Sequence, residues 1–255
     1  MVEGSTRAMM SSLQTQLIFP IHAVGPAGPL PRGAVMVSLE TPDGETLHGV
    51  RIPPATAAKP RTLIVGFGGN AWNGSDVAAY LHQVFPKAHV VAFHYRGYWP
   101  STGNPSAKAL LADAPLVHDF AVDLVKPDRT IAVGMSIGSG VAASLAKRGP
   151  LDGLILVTPF DSLKAAASDL YPWLPIAPFF EHEFATAAYL KGAKLPVAII
   201  AGEYDTLIRP ARTDALRQRV PNLVFDRTIA AAGHNDIYHR PDFQAAMREA
   251  LAAVG

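Results

Sequence analysis

The sequence predicts an α/β protein: a mostly parallel central sheet, an antiparallel hairpin ahead of it, and helices on both faces. Three observations carry this. From residue 61 onward, short runs of aliphatic and β-branched residues alternate with segments of helical spacing, the rhythm of βαβ units joined by right-handed crossovers. Runs such as Thr62-Leu-Ile-Val-Gly-Phe67 are apolar nearly throughout, as strands buried on both faces must be. Ahead of them, Ala34 to Thr41 alternates like a strand, Pro42-Asp-Gly-Glu45 supplies turn chemistry, and Thr46 to Ile52 reads as the returning strand.

Taken in order, residues 1–33 form a lead-in, Pro/Gly-rich and irregular from Val24 to Gly33. One domain follows over 34–255, long enough at 255 residues in all for a single large α/β unit. After Thr62 to Phe67 comes a loop, Gly68-Gly-Asn-Ala-Trp-Asn73, then a short helix, Val77 to Phe85. Ala88 to His94 is the next strand. Ala107 to Val125 is helical, with Leu110, Leu111, Ala114 and Val117 at helical spacing, and Pro115 is expected to kink or split it. Thr130 to Val133, Leu151 to Val157, Pro196 to Ala201 and Asn222 to Thr228 are strands. Helices are expected at Val141 to Arg148, stopping at Gly149-Pro150, at Ala211 to Arg219 with Pro210 at its start, and at Asp242 to Val254. Residues 161–195 break the alternation. They are too long for a simple crossover and rich in aromatics, and the prolines of Tyr171-Pro-Trp-Leu-Pro-Ile-Ala-Pro178 forbid one continuous helix. The segment follows the carboxyl end of a strand, where ligand sites form, so a small lid is expected; an ordinary docked excursion is the alternative.

Composition narrows the function. Lys+Arg (22) nearly equals Asp+Glu (21), so no electrostatic ground exists for expecting nucleic acid or an anionic membrane surface. With no cysteine, disulfides, thiolate zinc sites and a thiol nucleophile are excluded. At 49% hydrophobic and 17% charged residues there is ample material for a core. Leu17 to His22 is too short and too interrupted for a signal peptide or a membrane span, and a cytoplasmic location is expected.

The stretch from Thr130 to Arg148 carries the chemistry. Strand residues run into Gly134-Met-Ser-Ile-Gly138 and then into a helix, the context of a nucleophile elbow. Such a turn is tight enough that the positions two before and two after the serine must lack bulk, which Gly134 and Gly138 satisfy. Ser136 would then stand above the strand end beside helix N–H groups that favour an anion. The bland alternative is a glycine-rich turn that only closes a βαβ unit. A serine of ordinary pKa needs a base and a carboxylate to orient that base. Asp205, in Ala201-Gly-Glu-Tyr-Asp-Thr206 directly after a strand, is the first choice of carboxylate, with a helix-capping role as its alternative. Asp161 is second, with capping of the segment from Leu163 as its own alternative; Asp214 is a further carboxylate, and Glu203 is expected to face away. His234, between the last strand and the last helix, is the expected base ahead of His182 and His239. Two N–H groups are needed for an oxyanion: that of Ile137, and one from the loop after Phe67, where Asn70 is favoured with Ala71 beside it. Trp72, Tyr171 and Trp173 are the expected substrate-binding residues. The loop lacks G-x-G-x-x-G and G-K-[ST], which argues against phosphate cradling, and no helix carries paired metal-ligand spacing, so neither a cofactor nor a metal is expected.

These pieces together resemble the α/β-hydrolase superfamily, most closely its small-lidded serine hydrolases of the bud-emergence (Bem) and α/β-hydrolase-domain type. Gly68-Gly-Asn-Ala-Trp-Asn73 is similar to that family's His-Gly-Asn-Ala-x-Asn oxyanion loop, with Gly68 in place of the histidine. Tyr95-Arg-Gly-Tyr-Trp-Pro-Ser-Thr-Gly-Asn-Pro-Ser106 resembles its Tyr-Arg-Gly-Tyr-Gly-x-Ser-x-Gly-x-Pro-Ser loop, with Trp99 in place of a glycine. Tyr171 to Pro175 and Gly202 to Pro210 also fit, and the likeness spans roughly Leu17 to the C-terminus. It implies an α/β-hydrolase fold and Ser136, Asp205 and His234 as a catalytic triad. Members often carry an N-terminal membrane segment, which is not expected here. The activity implied is hydrolysis of a small-molecule carboxylic ester or thioester. A peptidase or amidase on the same residues, or a non-catalytic binding module, are the alternatives.

Overall fold

The computed structural model describes residues 11–56, 58–148, 151–173 and 179–255. Eight strands form one sheet: β1 (Val35–Glu40), β2 (Thr46–Ile52), β3 (Thr62–Phe67), β4 (His89–Phe93), β5 (Arg129–Met135), β6 (Gly153–Val157), β7 (Val197–Gly202) and β8 (Leu223–Ile229). Their spatial order is β1-β2-β4-β3-β5-β6-β7-β8. β1 pairs antiparallel with β2, and β2 with β4; the remaining neighbours are parallel.

Helix α1 covers residues 11–18. It is followed by α2 (Gly74–Val84), α3 (Ala107–Val125), α4 (Ile137–Ser144), α5 (Leu163–Leu170), α6 (Thr186–Leu190), α7 (Pro210–Arg217) and α8 (Pro241–Ala253). The sheet separates two apolar layers. Val65, Ala132, Leu154 and Ile199 face one, with α3 and α4; Ile64, Ile131, Ile155 and Ala198 face the other, with α2 and α8. Strands sealed on both sides have no polar face to show in sequence, which is why their runs are almost unbroken.

Chain order places the site. From β3 the chain moves one position outward to β4, then crosses back over β3 to β5. That reversal opens a crevice at the carboxyl ends of β3 and β5, where open α/β sheets bind ligands. The loop after β3 and the turn after β5 are the segments expected to carry the oxyanion donors and Ser136.

One expectation needs correction. Pro115 does not split its helix: α3 runs unbroken from Ala107 to Val125. Eight buried residues along α3, among them Leu110, Ala114, Val117 and Ala121, hold it against the sheet and outweigh the missing N–H. Ahead of the irregular stretch from Val24 to Gly33, the lead-in holds α1 and a 3-10 turn, Ile21–Ala23. Of the expected lid, α5 and α6 are described; residues 174–178, with most of its prolines, and Gly149-Pro150 lie outside the described residues.

Candidate active site

The turn between β5 and α4 is closed by contacts too short for any side chain. A Cβ on Gly134 would lie 2.3 Å from the Gly138 carbonyl oxygen. A Cβ on Gly138 would lie 2.1 Å from that of Phe67 and 2.5 Å from that of Gly68. Glycine at these positions lets α4 start directly against the loop after β3. Ser136 itself sits at φ 53°, ψ −120°, a conformation costly for an L-residue and held here by its surroundings. Its N–H donates to the Val157 carbonyl at 2.9 Å, and its carbonyl accepts from the N–H and hydroxyl of Ser139. The backbone is therefore locked while Oγ faces the crevice.

Three side chains expected from sequence meet there. Ser136 Oγ lies 2.9 Å from His234 Nε2, and His234 Nδ1 lies 2.7 Å from Asp205 Oδ2. Since a carboxylate only accepts, the imidazole proton belongs on Nδ1, which leaves Nε2 to accept from the serine hydroxyl. Asp205 and His234 are both buried, at 5% and 8% exposure, so this line is shielded from water. The other Asp205 oxygen, Oδ1, accepts from the N–H groups of Leu207 (3.0 Å) and Ile208 (2.7 Å). Asp205 thus orders its own loop as well as the imidazole, whereas α7 begins later, at Pro210, with Arg209 as its N-cap.

Of the rival residues, His239 lines the cleft over Ser136 without a hydrogen bond to it, and the others are placed elsewhere. Asp161 faces Arg212 at 3.5 Å; the N-cap of α5 is Ser162, and Glu183 accepts from the N–H groups of Leu163 and Lys164. Glu203 accepts from the Ala231 N–H at 2.7 Å and so braces the loop that carries His234. Asp214 pairs with Arg217, and His182 is bonded to Thr15 of α1.

A cleft of ≈ 330 Å³ opens over Ser136 and His234. Asn70, Ala71 and Trp72 form one wall; Leu207 and Asn235 flank the imidazole. Trp72, Tyr80 and Tyr238 make an aromatic cluster with ring centroids 5.2–6.1 Å apart. Burial pushes the Tyr238 phenol up to about 12 and drives Tyr80 upward as well. Both therefore stay neutral over the working pH range. Among the described residues, those lining the cleft include no carboxylate, lysine or arginine. Trp72 is where the sequence expected it. Tyr171 and Trp173 do not line this cleft: they stack edge-to-face at 6.0 Å, and Trp173 is 74% exposed.

The loop after β3 is held by its carbonyls. Gly68 accepts from the Tyr95 hydroxyl and Asn70 from the Tyr98 hydroxyl, both at 2.8 Å, while the Trp72 N–H donates to Gly69 at 3.3 Å. The Asn70 side chain donates to the Ile18 carbonyl at the end of α1 at 3.0 Å. α1 in turn grips the segment before α6: Thr15 Oγ1 lies 2.8 Å from His182 Nε2, and Gln14 bonds the backbone of Phe179 and Glu181. Sequence reasoning missed Tyr80, Tyr238 and Leu207, which reach the cleft from separate elements. The string from Tyr95 to Ser106 singled out both tyrosines without indicating what their hydroxyls touch.

The architecture is the α/β-hydrolase fold, and in sequence the chain is similar to proteins of the Bem and α/β-hydrolase-domain type. It is 29% identical to an uncharacterized protein of Mycobacterium tuberculosis over 220 residues, 82% of this chain and 78% of that protein. It is 30% identical to the lysophosphatidylserine lipase ABHD12 of Danio rerio over 167 residues, 57% of this chain and 44% of the lipase, so the match spans less than half of that relative's length. With the protein bem46 of Schizosaccharomyces pombe it shares 27% identity over 68% of this chain and 61% of that one. Among solved structures, the Pyrococcus furiosus esterase Pf2001 superposes with a TM-score of 0.71 at 21% identity, covering 91% of this chain and 95% of that one. No protein-family model matches the chain. Among the described residues no helix is long and apolar enough to cross a membrane.

Proposed function

We propose that the protein is a serine hydrolase that cleaves carboxylic ester or thioester bonds through an acyl-enzyme at Ser136. The observation that carries this reading is the continuous line from Asp205 Oδ2 through His234 to Ser136 Oγ, with steps of 2.7 and 2.9 Å, ending in an uncharged cleft.

In the first half of the reaction Oγ bonds to the substrate's carbonyl carbon while its proton passes to His234 Nε2. The carbonyl oxygen becomes an oxyanion, held by the N–H groups of Ile137 and Asn70. As α4 begins at Ile137, its first N–H groups have no acceptor within the helix. Asp205 stabilises the imidazolium and keeps the ring oriented. Collapse of the intermediate breaks the bond to the leaving alcohol or thiol, which takes the proton from Nε2. Water then repeats the sequence: His234 accepts its proton, the hydroxyl adds to the acyl carbon, and the acid departs as Ser136 regains its proton. No metal or cofactor enters any step. The lysophosphatidylserine lipase named among the relatives makes a single-chain lysophospholipid the first natural ester to assay.

A fluorophosphonate probe should label the native protein at Ser136, and Ser136→Ala should abolish both labelling and p-nitrophenyl butyrate turnover. Equal turnover by wild type and Ser136→Ala would overturn the reading.

A further inference from the structure

The loop that would hold the oxyanion is too short and too rich in glycine to keep one shape unaided. Gly68 and Gly69 have no side chains to pack, and glycine leaves many backbone conformations open. Yet a notional Cβ on Gly69 stands 3.7 Å from Ser136 Cβ, so the loop lies in contact with the nucleophile and any drift reaches it directly.

A carbonyl shares one rigid plane with the N–H of the next residue, and in a trans peptide the two point in opposite directions. Fixing the oxygen therefore aims the hydrogen. Tyr95 fixes the plane that carries the Gly69 N–H, and Tyr98 the plane that carries the Ala71 N–H. Between them, the Trp72 N–H holds the plane that carries the Asn70 N–H. Three consecutive planes are thus anchored, the outer two by phenols.

The phenols are themselves immobile. Tyr98 is 1% exposed, and the two rings meet edge-to-face at 5.8 Å. Arg96 between them is clamped: its guanidinium donates twice to Asp113 of α3, at 2.6 and 3.0 Å, and twice to Asp43 of the β1–β2 turn. Gly97 turns the chain at φ 79°, its N–H donating to Thr102 while the Tyr98 N–H donates to Tyr95. Burial raises both phenol pKa values, so neither loses the proton it donates.

We infer that Tyr95 and Tyr98 are positioning residues for the oxyanion loop: through the Gly68 and Asn70 carbonyls they fix the peptide planes on either side of the one that carries the Asn70 N–H, and so hold that N–H towards the oxyanion formed at Ser136. This rests on the serine-hydrolase reading above. It predicts that the two hydroxyls matter for the transition state and not for substrate capture, because an oxyanion forms only after attack.

The test compares Tyr98→Phe and Tyr95→Phe with wild type, and with Thr213→Val as control. Thr213 also buries a hydroxyl that donates to a carbonyl, that of Pro159 at 2.8 Å, but on α7. Each Phe variant should lose about tenfold to hundredfold in kcat on p-nitrophenyl butyrate, with KM within about twofold. Affinity for an alkyl boronic acid, which places an oxyanion in the hole, should fall in step, and amide exchange across residues 68–72 should quicken. Thr213→Val should change neither kcat nor that exchange. Unchanged kcat and exchange in both Phe variants, or an equal kcat loss in Thr213→Val, would overturn the inference. Should Tyr98→Phe not fold, Tyr95→Phe carries the same test from the other end of the loop. An inactive, unlabelled wild type would count against the hydrolase reading alone, since amide exchange still reports whether the hydroxyls hold the loop.

Discussion

Asp205 meets the His234 ring at 2.7 Å through one oxygen and holds its own loop through the other. The two tasks separate chemically. Asp205→Asn keeps an amide oxygen for the Leu207 and Ile208 N–H groups. Its NH2 then faces Nδ1 and makes that nitrogen an acceptor, so the proton moves to Nε2 and blocks the step from Ser136. The expected result is a folded protein, unchanged in melting temperature within about 2 °C, with kcat reduced about 10⁴-fold. Thermal melts and ester kinetics on one preparation check both halves.

Gly138→Ala tests how closely α4 must approach. Its methyl would sit 2.1 and 2.5 Å from the two backbone oxygens of Phe67 and Gly68, neither of which can swing aside as a side chain would. Either α4 retreats or the oxyanion loop does. The expected cost is about 1–3 kcal/mol in denaturant unfolding, with loss of fluorophosphonate labelling even where the protein remains folded.

Trp72 and Trp173 make opposite predictions. Trp72 lines the cleft and packs on Tyr80 and Tyr238, so Trp72→Ala removes a wall. KM for a medium-chain p-nitrophenyl ester should rise about tenfold, the loss of roughly 1.4 kcal/mol of binding. Trp173→Ala should leave KM and kcat for short esters within about twofold, because its indole is exposed and lies away from the cleft. A large effect at position 173 on short esters would mean that the segment closes over the site during turnover.

Stability should fall in mild acid. Burial lowers the imidazole pKa of His82, His89, His94 and His182; for His94 the value is about 4 against an ordinary 6.5, with the nearby His48 pushing the same way and Asp76 the other. Below pH 6.5 the unfolded chain takes up protons that the folded chain refuses. Stability is therefore full above pH 6.5 and drains away down to about pH 4, at up to about 1.4 kcal/mol per pH unit for His94. Among the described residues no acceptor meets a second proton on His94: Nε2 meets Ser75 at 2.9 Å and Nδ1 is buried without a hydrogen bond. Urea melts at pH 7 and pH 5 should differ in wild type, and His94→Asn should flatten that difference.

Much of this was legible in the residues. β2, β3 and α3 fall on the expected bounds: β2 alternates after its Asp-Gly turn, β3 is an unbroken apolar run sealed on both sides, and α3 carries a long helical period. The meeting of Ser136, Asp205 and His234 was legible too, because crossover topology stacks the ends of parallel strands at one edge. What was not legible depends on partners distant in sequence. α1 is polar in composition, Ser-Ser-Leu-Gln-Thr-Gln, and its bonds go to Phe179, Glu181 and His182, over 160 residues away. The Trp72–Tyr80–Tyr238 cluster joins a loop, a helix and a 3-10 turn that no local pattern links. Tyr171 and Trp173 are expected near substrate because their aromatic segment follows the carboxyl end of a strand; that placement signals a contact surface without saying which way each ring faces.

The bond from Asn70 to Ile18 ties the oxyanion loop to the first helix, and Phe19 behind it is sunk 2% exposed in the core. On the serine-hydrolase reading, trimming the chain past residue 19 should therefore lower turnover, although among the described residues α1 does not line the cleft over Ser136. A shortened enzyme of this kind should survive as a weakened, less selective catalyst, and an N-terminal fusion belongs upstream of Ser11 with a slack connection, so that the graft exerts no pull on the loop beside the nucleophile.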